Sequence, residues 1–586
     1  MAEITRDRLA EVLDEVALLL ELKGENPFKV RAYRHGAEVV RSFEGDIVQR
    51  AVEGNLGDIK GLGEALRKKL GELAATGRLG YHDDLRASFP ESLFGLLDLQ
   101  GLGPRKVKIL FESLGVDSVE ALRSACESGR VASLPGFGVK SSDRILAAIA
   151  SREQFAGRFL LVECAPVAEH VLAHLRRHPD TVRAEVAGSC RRARETVHDL
   201  DFLVATREPA SLTAHFTALP EVAEIMAHGD TKASVRLENG LQCDLRAVSN
   251  TQWPFALMYF TGSKEHNVQL RQRAGKAGLT LNEYQLAPAA KAGPSAPLPE
   301  ITGEDDIYRA LGLDFVVPEL REGRGELDAA EEGALPRLVE QDNLRGTFHC
   351  HTTASDGRSS LEEMAAAAHD LGLGYLGIAD HSKSSFQARG LDEERLAAQI
   401  AEIRALDTAY DDLRLFAGSE VDILKDGSLD FDDAVLAGLD YCVASIHASF
   451  NLREREMTRR VVRAMENPHV TMLGHLTGRL LLRRDPYPVD HEVVIDCAAE
   501  TGTVIELNCS AMRMDMDWRW WRRARDRGVR CAINPDAHHV RQLQLLHFGV
   551  RMARKGWLRR EDIVNCLPLP EMEAWLRAPK PRRNAP

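Results

Sequence analysis

Gly188-Ser189-Cys190-Arg191-Arg192-Ala193-Arg194-Glu195-Thr196-Val197-His198-Asp199-Leu200-Asp201-Phe202-Leu203-Val204 joins a small-residue turn to an apolar run that carries two aspartates. Asp199-Leu200-Asp201 ahead of Phe202-Leu203-Val204 reads as a buried strand, on which Asp199 and Asp201 share a face. Neighbouring carboxylates repel one another, and a hard divalent cation such as Mg²⁺ relieves the repulsion. Gly188 and Ser189 add a tight turn and a hydroxyl, and Arg191, Arg192 and Arg194 add fixed positive charge. A triphosphate needs this combination of donors, guanidinium groups and metal. A bare Asp-x-Asp, by contrast, would read as a solvated strand end beside a basic turn.

A third acid tips the balance. Gln242-Cys243-Asp244-Leu245-Arg246-Ala247-Val248 is a second strand-like run with one carboxylate inside it. Three strand carboxylates behind a Gly-Ser turn resemble the palm of the nucleotidyltransferase superfamily. The spacing from Gly-Ser through Arg-Arg to Asp-x-Asp is similar to that of family X DNA polymerases, the group of DNA polymerase beta. The resemblance implies that Asp199, Asp201 and Asp244 bind two Mg or Mn ions. Asp244 would help activate the primer 3′ oxygen, and Gly188, Ser189 and Arg192 would hold the dNTP triphosphate. His198 stands where many members carry glycine, although terminal-transferase-like members also have histidine there, so it bears on template use. Further on, Tyr259-Phe260-Thr261-Gly262-Ser263 resembles the family's thumb segment. This implies that Tyr259, Phe260 and Gly262 lie against the nucleotide sugar, that Asn267 meets the incoming base and that Arg271 meets the template strand. Leu281-Asn282-Glu283-Tyr284 is also similar to the family.

At 586 residues the chain is too long for one core, and 44% apolar with 28% charged content is that of a soluble globular protein. No apolar run approaches the ~18 residues of a membrane span, and the N-terminus lacks a signal-peptide layout, so a cytoplasmic protein is expected. The ten cysteines include no Cys-x-x-Cys pair, which argues against a zinc ribbon or a disulfide framework. Net charge is 75 − 88 = −13, awkward for a DNA-binding chain, so any nucleic-acid surface must be local and rich in backbone amides.

The N-terminal region supplies such a surface. Ile4, Leu9, Val12, Leu13, Val16, Leu19 and Leu20 recur at helical spacing until Asn26-Pro27. Gly61-Leu62-Gly63, Gly101-Leu102-Gly103 and Gly136-Phe137-Gly138 each open a segment with basic or small residues, among them Lys106. This is the helix-hairpin-helix pattern, in which glycines admit a phosphate to the backbone and a helix N-terminus offers free amides. Three copies favour DNA-backbone binding without sequence readout. By resemblance to the small lyase domain of polymerase beta, Lys69 falls at the Schiff-base lysine; Lys60 and Lys68 are equally available by composition.

A second chemistry begins near Gly346. Phe348-His349-Cys350-His351 puts two histidines on one face of a short strand, with Asp356 close behind. Asp380-His381, Glu420, His447, His475, Asp536 and His538 follow at or just past the ends of short apolar runs, with helical segments between them. That is the layout of a β/α barrel, whose site is assembled at the C-terminal ends of its strands. Nine His, Asp and Glu groups so placed are hard to explain without metals. The half resembles the PHP (polymerase and histidinol phosphatase) domain. Carried over motif by motif, His349, His351, Asp356, His381, Glu420, His447, His475, Asp536 and His538 would hold two or three Zn, Mn or Fe ions. Lys383 and Arg479 stand near the motifs as candidate phosphate contacts.

The expected architecture is multidomain: a helical lyase-like region over 1–85 and helix-hairpin-helix fingers over 86–157. An α+β palm over 158–250, a thumb over 251–320, an acidic linker over 321–343 and an α/β PHP barrel over 344–575 complete it. Residues 287–299 read as a loop. The resemblance implies a monomeric DNA polymerase with 3′–5′ exonuclease or 3′-end processing activity, acting on gapped or primer-template DNA with dNTPs in base excision repair. The alternatives are a phosphoesterase whose palm only grips DNA and a non-catalytic repair scaffold.

Overall fold

Asn26 interrupts the first helical pattern because its side chain caps the next helix: Arg6–Lys23 ends at the left-handed Gly24, and Pro27–Ser42 starts with Asn26 Oδ1 accepting from Phe28 N at 2.9 Å. The structure, a computed structural model, describes residues 4–580 apart from 44, 98, 100, 156 and 290–297. Gln100 of the second glycine turn and most of the loop expected over 287–299 therefore lie outside the described residues. Two compact units result, Met1–Ala156 and Gly157–Pro586. The first is all-helical, with apolar faces gathered into one core around Leu13, Leu20 and Leu70 and another around Leu93, Val107 and Leu122.

In the second unit a five-stranded sheet forms the palm. Asp199–Thr206 lies at its heart, antiparallel to Thr181–Val186 and parallel to Gln242–Val248; Lys232–Leu237 and Val222–His228 continue it antiparallel. Leu161–Arg176 and Pro209–Thr217 bury Val171, Leu172, Leu212 and Phe216 in the core that the sheet's Phe202, Val204 and Leu245 share. The thumb gathers the helices Trp253–Thr261, Lys264–Lys276 and Glu304–Ala310 around Leu270, Ile307 and Tyr308.

The acidic stretch read as a linker is built into this body instead. Glu326–Glu331 is a helix that buries Leu327 and Ala330 in the thumb core, and Glu326 is wholly buried against His266, 2.7 Å from its Nδ1. Two of its carboxylates, Glu322 and Glu326, are partners to the buried bases Lys555 and His266, a role composition cannot distinguish from the solvation that Asp328, Glu331 and Glu332 have.

Seven strands, Gly346–Cys350, Tyr375–Ile378, Arg414–Asp422, Tyr441–Ser445, Met472–Leu473, Val504–Asn508 and Cys531–Asn534, pair in chain order and all parallel. A parallel bridge between Cys350 and Ala537 brings the last strand's extension back to the first, so the sheet curls into a barrel. Phe348, Tyr375, Phe416 and Tyr441 fill the barrel at one level, their rings 4.9–5.9 Å apart where Phe348 meets the other three. With that end packed by aromatics, the polar groups collect at the other. Among the described residues, no helix is long and apolar enough to cross a membrane.

Candidate active sites and DNA-contacting turns

Strand register assembles the palm acids. Asp201 stands directly opposite Asp244 in the parallel ladder, and Asp199 opposite Gln242. The side chain of Gln242 donates to Asp244 Oδ2 at 3.0 Å, and Ser234 Oγ bonds the other oxygen, so Asp244 is aimed by two polar neighbours. Burial, and then the charges of Asp199 and Asp244, push the Asp201 carboxyl up to about 7. A bound cation would reverse that repulsion. Gly188 has φ +59°, and a Cβ there would collide with Asp201 Oδ2, so the turn closes directly over the acid. Ala187 N donates to Asp201 O at 2.7 Å, which fastens turn to strand.

Around this centre the other expected groups are placed as follows. Arg192 donates through Nη1 to Thr261 O at 2.5 Å and pairs with Glu322 at 3.2 Å. Tyr259 and Phe260 end the helix Trp253–Thr261 with rings edge-to-face at 5.3 Å, and Gly262 follows with φ +70°. Asn267 Nδ2 donates to Tyr259 O at 2.7 Å, while its buried Oδ1 has no protein partner, an acceptor available to a ligand. Arg271 is exposed on the helix Lys264–Lys276, which also carries Asn267. The His198 side chain is 60% exposed, with Nδ1 3.9 Å from Asp199 Oδ2, so it borders the acids without joining them.

The barrel mouth is denser. Four groups of ligand atoms each lie within 4.8 Å: His351, Asp356, His381 and His538; His349, His351 and Asp536; His349, Glu420 and His475; His381, Glu420 and His447. Together they contain all nine expected residues, and sharing of His349, His351, His381 and Glu420 makes the groups one cluster. Glu420 Oε1 is 2.9–3.2 Å from nitrogens of His349, His447 and His475, and its Oε2 is 2.8 Å from His381 Nδ1. Close as they are, His349 Nε2, both ring nitrogens of His351, His381 Nδ1 and Glu420 Oε2 are buried and make no aligned hydrogen bond, so the short distances among them are crowding of ligand atoms and not satisfied pairs. Unsatisfied donors so concentrated fit metal ions, and the mixture of imidazole and carboxylate suits Zn, Mn or Fe. The palm carboxylates form no such tight group among the described residues.

Three residues that motif reading passed over complete this centre. Glu506 is wholly buried and its Oε1 accepts from His349 Nδ1 at 2.6 Å, fixing the ring so that Nε2 faces inward. Burial pulls the His349 pKa down, but Glu506, Glu420 and Asp536 overcome it and hold it well above the usual range. Asp422 holds His447 Nδ1 at 2.9 Å in the same manner. Arg513 Nε lies 3.2 Å from Asp536 Oδ2. The signal for Glu506 was a lone carboxylate inside the apolar run Val504-Ile505-Glu506-Leu507. The two basic candidates are committed elsewhere: Arg479 to Asp517 at 2.7 Å and to the carbonyls of Arg513 and Met514, Lys383 to Glu393.

In the N-terminal unit the three turns share one geometry. Gly61, Gly101 and Gly136 take φ of +91°, +84° and +82°, where L side chains are strained. Gly63 and Gly103 then cap the helices Glu64–Thr76 and Pro104–Leu114 with no side-chain cap, leaving first-turn amides open to an anion. Gly138 precedes Val139–Phe155, and Lys106 Nζ donates to Gly101 O at 2.8 Å. Lys69 lies on Glu64–Thr76 with Nζ 4.5 Å from the centre of the Tyr81 ring, whereas Lys68 pairs with Glu64 at 3.1 Å.

A palm with register-matched acids and a barrel with a histidine-carboxylate cluster define a two-centre enzyme of nucleotidyl transfer and phosphoester cleavage. The DNA polymerase beta thumb family matches residues 256–322, the PHP domain 347–509, a helix-hairpin-helix domain 4–79 and a SAM-like helix-hairpin-helix tandem 95–151. Over 571 residues the chain is 37% identical to the DNA polymerase/3′-5′ exonuclease PolX of Bacillus subtilis (strain 168), covering 97% of this chain and 99% of that protein. A probable phosphatase of Thermoanaerobacter sp. (strain X514) is 28% identical over 228 residues, 37% of this chain and 88% of that protein. The chain belongs to the family X DNA polymerases that carry a PHP domain.

Proposed function

We propose that this chain fills short gaps during DNA repair in the cytoplasm, adding nucleotides at the palm and removing or cleaning 3′ ends at the barrel, as a monomer. As a member of its family it is a DNA polymerase with 3′–5′ exonuclease activity. The reading is carried by one observation: a chain with Asp201 in register with Asp244 also gathers all nine barrel donors into one cluster.

At the palm, Asp199, Asp201 and Asp244 hold two Mg or Mn ions, Ser189 and Arg192 bind the dNTP triphosphate, and Tyr259, Phe260, Gly262 and Asn267 seat its sugar and base. Asp244, aimed by Ser234 and Gln242, faces the primer 3′ oxygen. In the barrel the nine donors hold two or three Zn, Mn or Fe ions, which when bound activate water and neutralise phosphate charge. Glu506 and Asp422 orient His349 and His447, and the aromatic layer beneath closes the far end to water. The helix-hairpin-helix turns and Arg271 hold gapped DNA by its backbone, and Lys69 serves as the lyase nucleophile.

The test is a 5′-labelled primer in a one-nucleotide gap. With dNTPs it lengthens; without them it shortens in Mn²⁺, and EDTA stops both. Shortening alone would leave a phosphoesterase whose palm only grips DNA, and neither change would leave a scaffold.

A further inference from the structure

Lys555 ends the barrel helix Leu546–Lys555 and is 1% exposed, yet its charge serves the palm. Its Nζ pairs with Glu322 Oε1 at 2.5 Å and donates to Arg192 O at 2.9 Å, and it sits 4.6 Å from the centre of the Trp518 ring. Glu322 Oε1 is the same oxygen that meets Arg192 Nε at 3.2 Å, and Oε2 meets Arg194 at 3.4 Å. Other barrel groups grip the same turn: Arg551 donates to the carbonyls of Cys190 and Arg191 at 3.0 and 3.2 Å, and Trp518 Nε1 to Glu195 Oε2 at 3.1 Å. Palm and outer barrel share one apolar core, so this contact is a fixed one.

We propose that Lys555 is a positioning residue for nucleotide transfer, through which the nuclease barrel sets the charge and placement of the triphosphate-binding turn. The inference rests on the reading that Arg192 binds the triphosphate. Glu322 competes with the nucleotide's phosphates for that guanidinium. Lys555 offsets the carboxylate from behind, so that Arg192 keeps its attraction for the incoming anion, and its bond to Arg192 O fixes the backbone. Burial pulls the amine down to about 8, while Glu322 and then Glu195 favour its charge and Arg194 opposes it, so the amine stays charged at neutral pH. Removing the amine would leave Glu322 to Arg192 and Arg194 alone, and a buried acid tightens on the bases that remain.

The experiment is single-nucleotide gap filling by the full chain, with kcat and KM resolved. Lys555→Met raises KM for the nucleotide about tenfold and lowers kcat less, as expected when one charge contact to the phosphates weakens. Its 3′-end degradation is unchanged, because Lys555 is not a member of the metal-ligand groups. Glu322→Gln lowers KM, and in that background Lys555→Met loses most of its effect, because the lysine acts through the carboxylate. An unchanged KM in Lys555→Met, or equal effects with and without Glu322, overturns the proposal. Should Lys555→Met fail to fold, an unchanged KM in Glu322→Gln overturns it instead. Arg192→Ala separates the two readings: if it leaves KM unaltered, the role of Arg192 has failed, whereas a raised KM there beside an unaltered one in Lys555→Met fails this inference alone.

Discussion

At the scale of single residues, the palm depends on how closely Gly188 approaches Asp201. Alanine there meets both a φ of +59° and the carboxylate oxygen. The left-handed backbone costs about 1–2 kcal/mol for an L residue, and the clash displaces Asp201, an acid proposed to hold metal. Gly188→Ala should therefore lower the extension rate roughly 100-fold, the cost of misplacing a reacting group by about 1 Å. Degradation of 3′ ends should persist, and a primer-extension time course beside a nuclease time course checks both. Glu506 makes the matching prediction in the barrel. Glu506→Gln replaces with a neutral amide the carboxylate that orients His349, so bound metal and nuclease rate should fall about 10–100-fold, as for other partners of ligating histidines. Metal analysis of the purified variant beside its nuclease rate tests this; full metal content with full activity would remove Glu506 from the site. Residues in motifs were legible from sequence because chemistry and spacing coincide in them. Glu506 and Lys555 were not, since the first looks like an accident in an apolar strand and the second meets Glu322 across 233 residues.

Among the elements, the glycine turns were legible because their first glycine has a backbone duty and their second opens a helix. Helices Glu64–Thr76 and Pro104–Leu114 begin with glycine caps that offer no side chain, a loss of only about a few tenths of a kcal/mol each, and their free first-turn amides suit a bound phosphate. The segment around Glu319 to Glu332 reads differently for the converse reason: acidic composition resembles a linker until the buried His266 and half-buried Arg192 that it pairs with are placed. Helix Glu64–Thr76 also carries two of the candidate lyase lysines, Lys68 and Lys69. Lys68 is held by Glu64, while Lys69 turns to Tyr81. An amine attacks the sugar aldehyde in its neutral form to give a Schiff base. Borohydride should trap the wild type on an incised abasic site, and Lys69→Ala should lose the adduct while Lys68→Ala retains it. An adduct surviving in Lys69→Ala would place the nucleophile elsewhere.

For the whole molecule, the proposed nucleotide transfer and end cleavage use two separate sets of donors on one chain. Palm acids come from Asp199–Thr206 and Gln242–Val248, and barrel donors from the C-terminal ends of parallel strands, with no residue common to both. The buried contact at Lys555 joins the two bodies without joining their ligands, so removing a ligand from one set should spare the other. The most direct measurement puts Asp244→Ala and His349→Ala through the same labelled gap, with and without dNTPs, after circular dichroism confirms folding. Asp244→Ala should lose extension and keep Mn²⁺-dependent shortening. His349→Ala should keep extension, with longer products because added nucleotides are no longer removed, and lose shortening by orders of magnitude. Loss of both activities in either folded variant, or loss of neither, would contradict the account.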